Sequence, residues 1–220
     1  MLGQSSELLG GDLLLQSPRR LEASWLTQAE NEGLKSVEVL AFPSVVVSGE
    51  QLQLSGIKAV REGYPLRGGL RVADRPFGEE RPTAEIPGEG KAWVEARLLP
   101  LLEIEVGDTL ELGSLTLIIE RVLTFEPGGG GNLVNLAPRV LINLADVARA
   151  DILRPGSRVT WQYSFAGSEP AVQRYKKWLG PRLEPSHRLQ DVREGRPRVG
   201  AALDRAEQYL GLASLIAVSL

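Results

Sequence analysis

Hydrophobic positions change period several times along the chain, and each change marks an element. Leu13-Leu14-Leu15, closed by Ser17 and Pro18, predicts a short buried strand over residues 12–16. Pro18 then opens a helix, with Leu21, Trp25, Leu26 and Ala29 on one face and Gly33 as its stop. Between Lys35 and Gly49, Val37, Val39, Val45 and Val47 alternate about Pro43, which predicts two strands or one bent strand. Leu52 and Leu54 alternate with Gln51, Gln53 and Ser55 in a half-buried strand reaching Val60, and Ser48-Gly49-Glu50 supplies the hairpin turn. Ahead of all this, residues 5–10 read as the tail of a helix stopped by Gly10 and Gly11.

Residues 63–90 lose apolar periodicity and gain Gly, Pro and charge, so they predict a loop or a boundary. After Lys91 come Ala92-Trp93-Val94, a short helical piece over 95–102, and strands over 109–112 and 115–122. Glu103 and Glu105 alternate with Leu102, Ile104 and Val106, which predicts the solvated face of an extended segment. Pro127 and Gly128 to Gly131 fit a mobile hairpin tip. A strand over 140–143 leads into a short helix capped by Asn143 and containing Asp146 and Val147, and Pro155-Gly156 marks a second boundary. Val159, Trp161, Tyr163 and Phe165 alternate as a strand. Ser168 caps a helix with Ala171, Val172, Tyr175, Trp178 and Leu179 on one face, Gly180-Pro181 stops it, and residues 188–192 return as a strand. The order is strand-helix-strands, an inserted β-rich unit, then strand-helix-strand: an α+β chain.

The last stretch differs from the rest. Leu203, Ala206, Leu210 and Ala213 recur at helical spacing among Asp204, Arg205, Glu207 and Gln208, so a helix begins near Val199. From Leu210 to Leu220 no charge remains, and this run covers about half of the roughly 20 residues a membrane helix needs. It reads as a membrane span cut short, with a buried core helix as the alternative.

Composition removes several function classes. The chain has 220 residues, 43% hydrophobic and 24% charged, which suits one large or two small folded domains. A net charge of −3 leaves no basic footprint for nucleic acid. With no cysteine, disulfide scaffolds, thiolate zinc sites and cysteine nucleophiles are excluded, and with one histidine and no Asp-x-Asp-x-Asp-Gly loop no metal site is expected. His187 follows Ser186, but no Gly-x-Ser-x-Gly elbow accompanies them, so no catalytic residue and no cofactor site is assigned. Gly88, Gly90 and Lys91 resemble a phosphate loop only superficially, because Glu85 and Ala92 stand where that loop needs Gly and Ser or Thr. The start of the chain lacks the basic and apolar regions of a secretory signal, so a location outside the cytoplasm implies that something upstream has been removed. Arg193, Arg196 and Arg198, just before the terminal helix, suit either a membrane edge or a solvated linker.

Three stretches together resemble a known family. Ala92-Trp93-Val94, Arg97-Leu98-Leu99, Val106-Gly107-Asp108-Thr109-Leu110 and Ile119-Glu120-Arg121-Val122 resemble the inserted unit in extracytoplasmic domains of the MacB/LolC/FtsX superfamily of ABC transporter permeases. Glu7-Leu8-Leu9-Gly10-Gly11-Asp12-Leu13 resembles the segment after the first membrane helix in YbbP-type members. Leu189-Gln190-Asp191-Val192-Arg193-Glu194-Gly195-Arg196-Pro197, with Leu203-Asp204-Arg205-Ala206-Glu207, resembles their approach to the second. One departure is Glu103, where relatives often place glycine.

The resemblance implies a porter-like subdomain of βαβ type built from both chain halves (residues 1–66 and 156–195), an inserted sabre-like β-rich subdomain (67–155), and a stalk helix running into a truncated membrane helix (196–220). It implies a non-catalytic periplasmic domain at a bacterial inner membrane, coupled through the full-length permease to a separate cytoplasmic ATPase. The cargo would be hydrophobic, such as a lipid, lipoprotein or acyl compound; alternatively the domain relays the stroke to an extracytoplasmic hydrolase or adaptor. Asp191, Arg193, Glu194, Arg196, Asp204, Arg205 and Glu207 would carry the transmission at the stalk and its junction.

Overall fold

The computed structural model describes residues 10–128, 137–149 and 158–191. The helix expected at residues 5–9, Gly129 to Gly131, Pro155-Gly156 and the terminal helix lie outside the described residues, and so do Arg193, Glu194, Arg196, Asp204, Arg205 and Glu207.

The two ends of the described chain build a four-stranded antiparallel sheet. Its strands are β1 (Leu13–Ser17), β2 (Lys35–Ser48), β10 (Thr160–Ala166) and β11 (Arg188–Asp191), in the order β11-β1-β10-β2. Helix α1 (Ala23–Asn31) links β1 to β2, and helix α4 (Glu169–Leu179), extended by a 3₁₀ turn at Gly180–Arg182, links β10 to β11. Each linked pair of strands is separated by one strand of the other pair, so two split βαβ units interlock. The alternating residues dictate the layering. Leu13, Leu15, Tyr163 and Phe165 face the helices and bury Ala29, Ala171, Val172, Tyr175 and Leu179 beneath them. Leu14 and Ser164 point to the opposite face.

A second structure grows from β2. This strand runs unbroken through Pro43, which pairs with Gly56, so the expected break at Pro43 does not occur. It forms a long hairpin with β3 (Gln51–Val60), turning at Gly49 with φ +55°, a conformation glycine adopts without steric cost. The remaining strands are β6 (Lys91–Glu95), β7 (Thr109–Leu112), β8 (Leu115–Phe125) and β9 (Arg139–Asn143). Their pairing order is β2-β3-β9-β6-β8-β7, and β7 returns to β2 through Val46↔Leu112 and Val47↔Glu111. The sheet therefore closes into a six-stranded ring, which removes the edges an open sheet would expose. Leu40, Phe42, Val46, Ile57, Leu110, Leu117 and Ile142 belong to one buried cluster with Leu98, Leu99 and Leu102 of the short helix α2 (Leu98–Leu102). β2 and β3 serve both halves of the molecule, so hydrogen bonding is continuous across residue 67.

Several local expectations change. Residues 63–90 contain an edge hairpin, β4 (Leu70–Ala73) and β5 (Arg81–Thr83), whose short strands give too few alternations to register as a pattern. Glu95 ends strand β6 rather than starting a helix. Glu103 and Glu105 do not sit on a strand: Glu103 is the left-handed C-cap of α2, at φ 56° and ψ 42°. Its backbone occupies the conformation that glycine usually provides at that point. Asn143 does cap helix α3 (Leu144–Arg149), its side-chain oxygen accepting the Ala145 N–H at 3.0 Å. Ser168 stands at the N-cap of α4 but makes no side-chain capping bond.

Candidate functional site

The helix-free face of the antiparallel sheet is concave and encloses a groove of about 580 Å³. Strand alternation decides its lining. One row across the strands is Arg188, Gln16, Gln162 and Val39; the next is Thr160, Ala41 and Lys58. Pro43, Gly56 and Arg139 follow. Ala41, Pro43, Gly56 and Thr160 are the short side chains of these rows, and they leave the middle of the face hollow between the longer Arg188, Lys58 and Arg139.

One wall of the groove is a buried polar network. The Lys58 ammonium lies 2.5 Å from Glu126 Oε1 and donates to Tyr64 Oη at 2.7 Å, and Tyr64 donates to the same Glu126 oxygen at 2.7 Å. Arg139 lies 3.5 Å from the other Glu126 oxygen and 2.5 Å from Glu95. The Glu126 side chain is 1% exposed and is surrounded by two cations and a hydroxyl. Burial, reinforced by Glu126, pushes the Tyr64 hydroxyl well above the ordinary phenol value, so it remains a neutral donor. Burial tends to raise Glu95, but the hydrogen bonds and charge of Arg139, with Arg97, outweigh it and hold the carboxyl below its ordinary value.

A second junction binds the start of the described chain to this wall. Arg67 donates to Asp12 from two nitrogens, the shorter contact being 2.8 Å, while the same carboxylate accepts the Gly167 N–H at 3.0 Å. Arg67 N–H also reaches the Gly10 carbonyl at 3.3 Å.

The third junction is where the chain leaves. Asp191 closes β11 directly opposite Leu13 of β1. Its side chain is 1% exposed and meets Lys176 of α4 at 3.1 Å. Of the transmission residues expected from the sequence, Asp191 is the one the structure describes, and its side chain is buried. Leu13↔Asp191 pairing also places the entrance and exit of the described chain side by side, within one strand spacing of about 5 Å.

In the phosphate-loop likeness, Gly90 and Lys91 already have acidic partners. Gly90 N–H is taken by the Asp146 carboxylate at 3.0 and 3.1 Å, and the Lys91 ammonium by Glu120 at 2.5 Å. His187 accepts the Glu184 N–H through Nδ1 and rests against Trp25, away from any described nucleophile-base pair. Among the described residues no group of three or more His, Asp or Glu is placed to hold a metal ion, and no helix is long and apolar enough to cross a membrane. Sequence periodicity missed Lys58, Tyr64, Glu126 and Arg139. Their only local signal is a charge inside otherwise apolar strand sequence, as at Ile57-Lys58-Ala59.

The fold defines a class. It matches the periplasmic region of MacB from Actinobacillus actinomycetemcomitans with a TM-score of 0.52 at 9% identity, covering 96% of this chain and 97% of that one. It matches the extracellular domain of the noncanonical ABC-type transporter YknZ from Gram-positive bacteria with a TM-score of 0.51 at 10% identity, covering 81% and 99%. The sequence carries the assignment further: it is 36% identical over 217 residues, 99% of its length, to the uncharacterized ABC transporter permease YbbP of Escherichia coli (strain K12). The chain is therefore similar over nearly its whole length to part of a YbbP-type ABC transporter permease, and its fold is like that of the MacB periplasmic region. It spans about a quarter, 26%, of that relative's length. No protein-family model matches it.

Proposed function

We propose that this chain is the periplasmic domain of an inner-membrane permease that couples ATP hydrolysis by a separate cytoplasmic subunit to the handling or export of hydrophobic cargo. The observation that carries this reading is the pairing of Leu13 with Asp191. A domain whose chain enters and leaves side by side is suited to insertion between two membrane helices, and movement of either helix reaches a hydrogen-bonded strand rather than a slack loop. Asp191, held by Lys176, fixes the exit strand to α4, so a displacement arriving there moves the helix with it. Arg193, Glu194 and Arg196 would form the junction, and Asp204, Arg205 and Glu207 the stalk; residues 1–66 with 156–195 and residues 67–155 would be the porter-like and sabre-like units. The test replaces Arg193-Glu194-Gly195 by a flexible Gly/Ser insert in the full permease. ATPase turnover should persist while transport driven by it falls; unchanged transport overturns the reading.

A second reading, relay of the stroke to an extracytoplasmic hydrolase or adaptor, rests on Phe77. This side chain is wholly exposed in the β4–β5 loop, on a residue at φ +57°, within a turn where Gly78 N–H bonds the Arg75 carbonyl at 3.0 Å. A bulky residue in that region costs free energy, and an exposed aromatic is the usual anchor of a protein interface. A photo-crosslinker at position 77 of the full permease should capture a periplasmic protein; capture of none removes this reading.

A further inference from the structure

We propose that the helix-free groove binds a single-chain amphiphile with an anionic head, a carboxylate or phosphate, placing the head at Arg158 and Arg188 and the tail along β2. The proposal names the cargo class within the coupling reading above and rests on it for its biological setting, but its chemistry comes from the groove alone.

Charge argues for the head. The groove is lined by four cationic side chains, Lys58, Arg139, Arg158 and Arg188, and by one carboxylate, Glu126, in a chain whose overall charge is −3. Glu126 is already shared by Lys58, Arg139 and Tyr64. Arg158 and Arg188 have no carboxylate partner among the described residues, and both are exposed at the rim. Guanidinium groups pair with carboxylate and phosphate through two parallel N–H donors, so an anion is the complementary ligand here.

Shape and polarity argue for the tail. On β2, Val39, Ala41 and Pro43 line the groove, and the same alternation continues to Val45 and Val47 beyond it. Opposite these two stand Leu54 and Leu52 of β3, 53% and 67% exposed, with Val45 at 46%. The aliphatic patch on the hairpin is thus a continuation of the groove floor, while the alternate residues of β2, Leu40, Phe42 and Val46, are buried inside the ring. From Ala41 to Val47 the strand advances about 20 Å at roughly 3.3 Å per residue. Half of a bilayer's hydrocarbon core, about 15 Å, is the span of one acyl tail, so the track is long enough. The groove volume of about 580 Å³ lies within the range of sites that hold one small ligand. Cationic side chains around the groove and an open aliphatic continuation along the hairpin together select an amphiphile over a free anion or a neutral oil.

The experiment titrates the delipidated 220-residue chain with cis-parinaric acid, read by its fluorescence, and with its methyl ester. Saturable binding of the acid, at least about tenfold tighter than the ester, is expected. Arg158→Ala with Arg188→Ala should reduce acid affinity to that of the ester, and Ala41→Trp, which fills the floor, should abolish both; an unchanged melting temperature shows that each variant folds. Oleate and an oleoyl lysophosphatidate are then used as competitors. Displacement by either supports the proposal and identifies the head. Displacement by neither overturns it, as does displacement by inorganic phosphate at the same concentration, equal binding of acid and ester, no saturable binding, or indifference to the arginine substitutions. The titration needs no membrane or ATPase, so a failed titration leaves the coupling reading standing, and a failed linker test leaves the groove standing.

Discussion

Leu13 and Asp191 face each other across the β1–β11 pair, one fully buried under the helices and the other clasped by Lys176. The first and last described strands are therefore a single mechanical unit, tied to α4 by charge and to α1 by apolar packing.

Breaking that clasp has a local signature. Asp191→Ala leaves the half-buried Lys176 ammonium without this carboxylate and should cost about 1–3 kcal/mol. Hydrogen exchange at residues 13–15 should accelerate, because β11 is the outermost strand and its loosening exposes β1. Equal protection in the variant would separate the clasp from the edge pairing.

Two left-handed residues give the same prediction for stability and different ones for function. Glu103→Gly should raise stability by about 1 kcal/mol in urea unfolding, since it relieves the αL penalty of a Cβ and the side chain it removes holds one exposed bond to Gln51. Phe77→Gly should also raise stability, by a similar amount, yet weaken partner capture in the full permease. Loss of stability in either variant would mean that the turn depends on the side chain it now carries.

The wall of the groove responds asymmetrically to substitution. Lys58→Met leaves Glu126 buried with less compensation and should cost about 3–5 kcal/mol. Adding Glu126→Gln should recover part of that loss, because no buried charge then lacks its ammonium. A double-mutant cycle by denaturant melts checks the coupling; strict additivity would show that the two groups act independently.

Acid sensitivity follows from Glu95. Its folded value lies below the ordinary 4.5, so the folded state binds its proton less readily than the unfolded chain does. The stabilisation is present above the unfolded value and is lost as pH falls through the lowered folded value. Glu95→Gln should flatten the acid limb of the stability profile relative to the parent chain. An unaltered limb would assign acid unfolding to other carboxylates.

Much of the secondary structure was legible from local pattern because burial on one face repeats every two or 3.6 residues. Leu13 to Leu15, Val159 to Phe165 and the Ala171–Leu179 face all lie where their periodicity places them. The resemblance to YbbP-type permeases was legible as well, since the quoted stretches at both ends and in the middle lie within a 217-residue match to one such permease. Among the transmission residues, Asp191 alone falls where structure is described, and sequence could not reveal that it is buried against Lys176 on another element.

The chain's own sequence therefore determined most of the elements, their order and the resemblance to YbbP-type permeases. Tertiary structure decided what those elements enclose. The closure of β7 onto β2, the cationic groove and the Lys58-Tyr64-Glu126-Arg139 wall all join residues far apart in the chain, and alternation along one strand is the same whichever strand it pairs with. Glu103 shows the converse limit: alternation suggested an extended segment, but packing of Leu98, Leu99 and Leu102 inside the ring wound the chain into a helical turn and left Glu103 as its left-handed end.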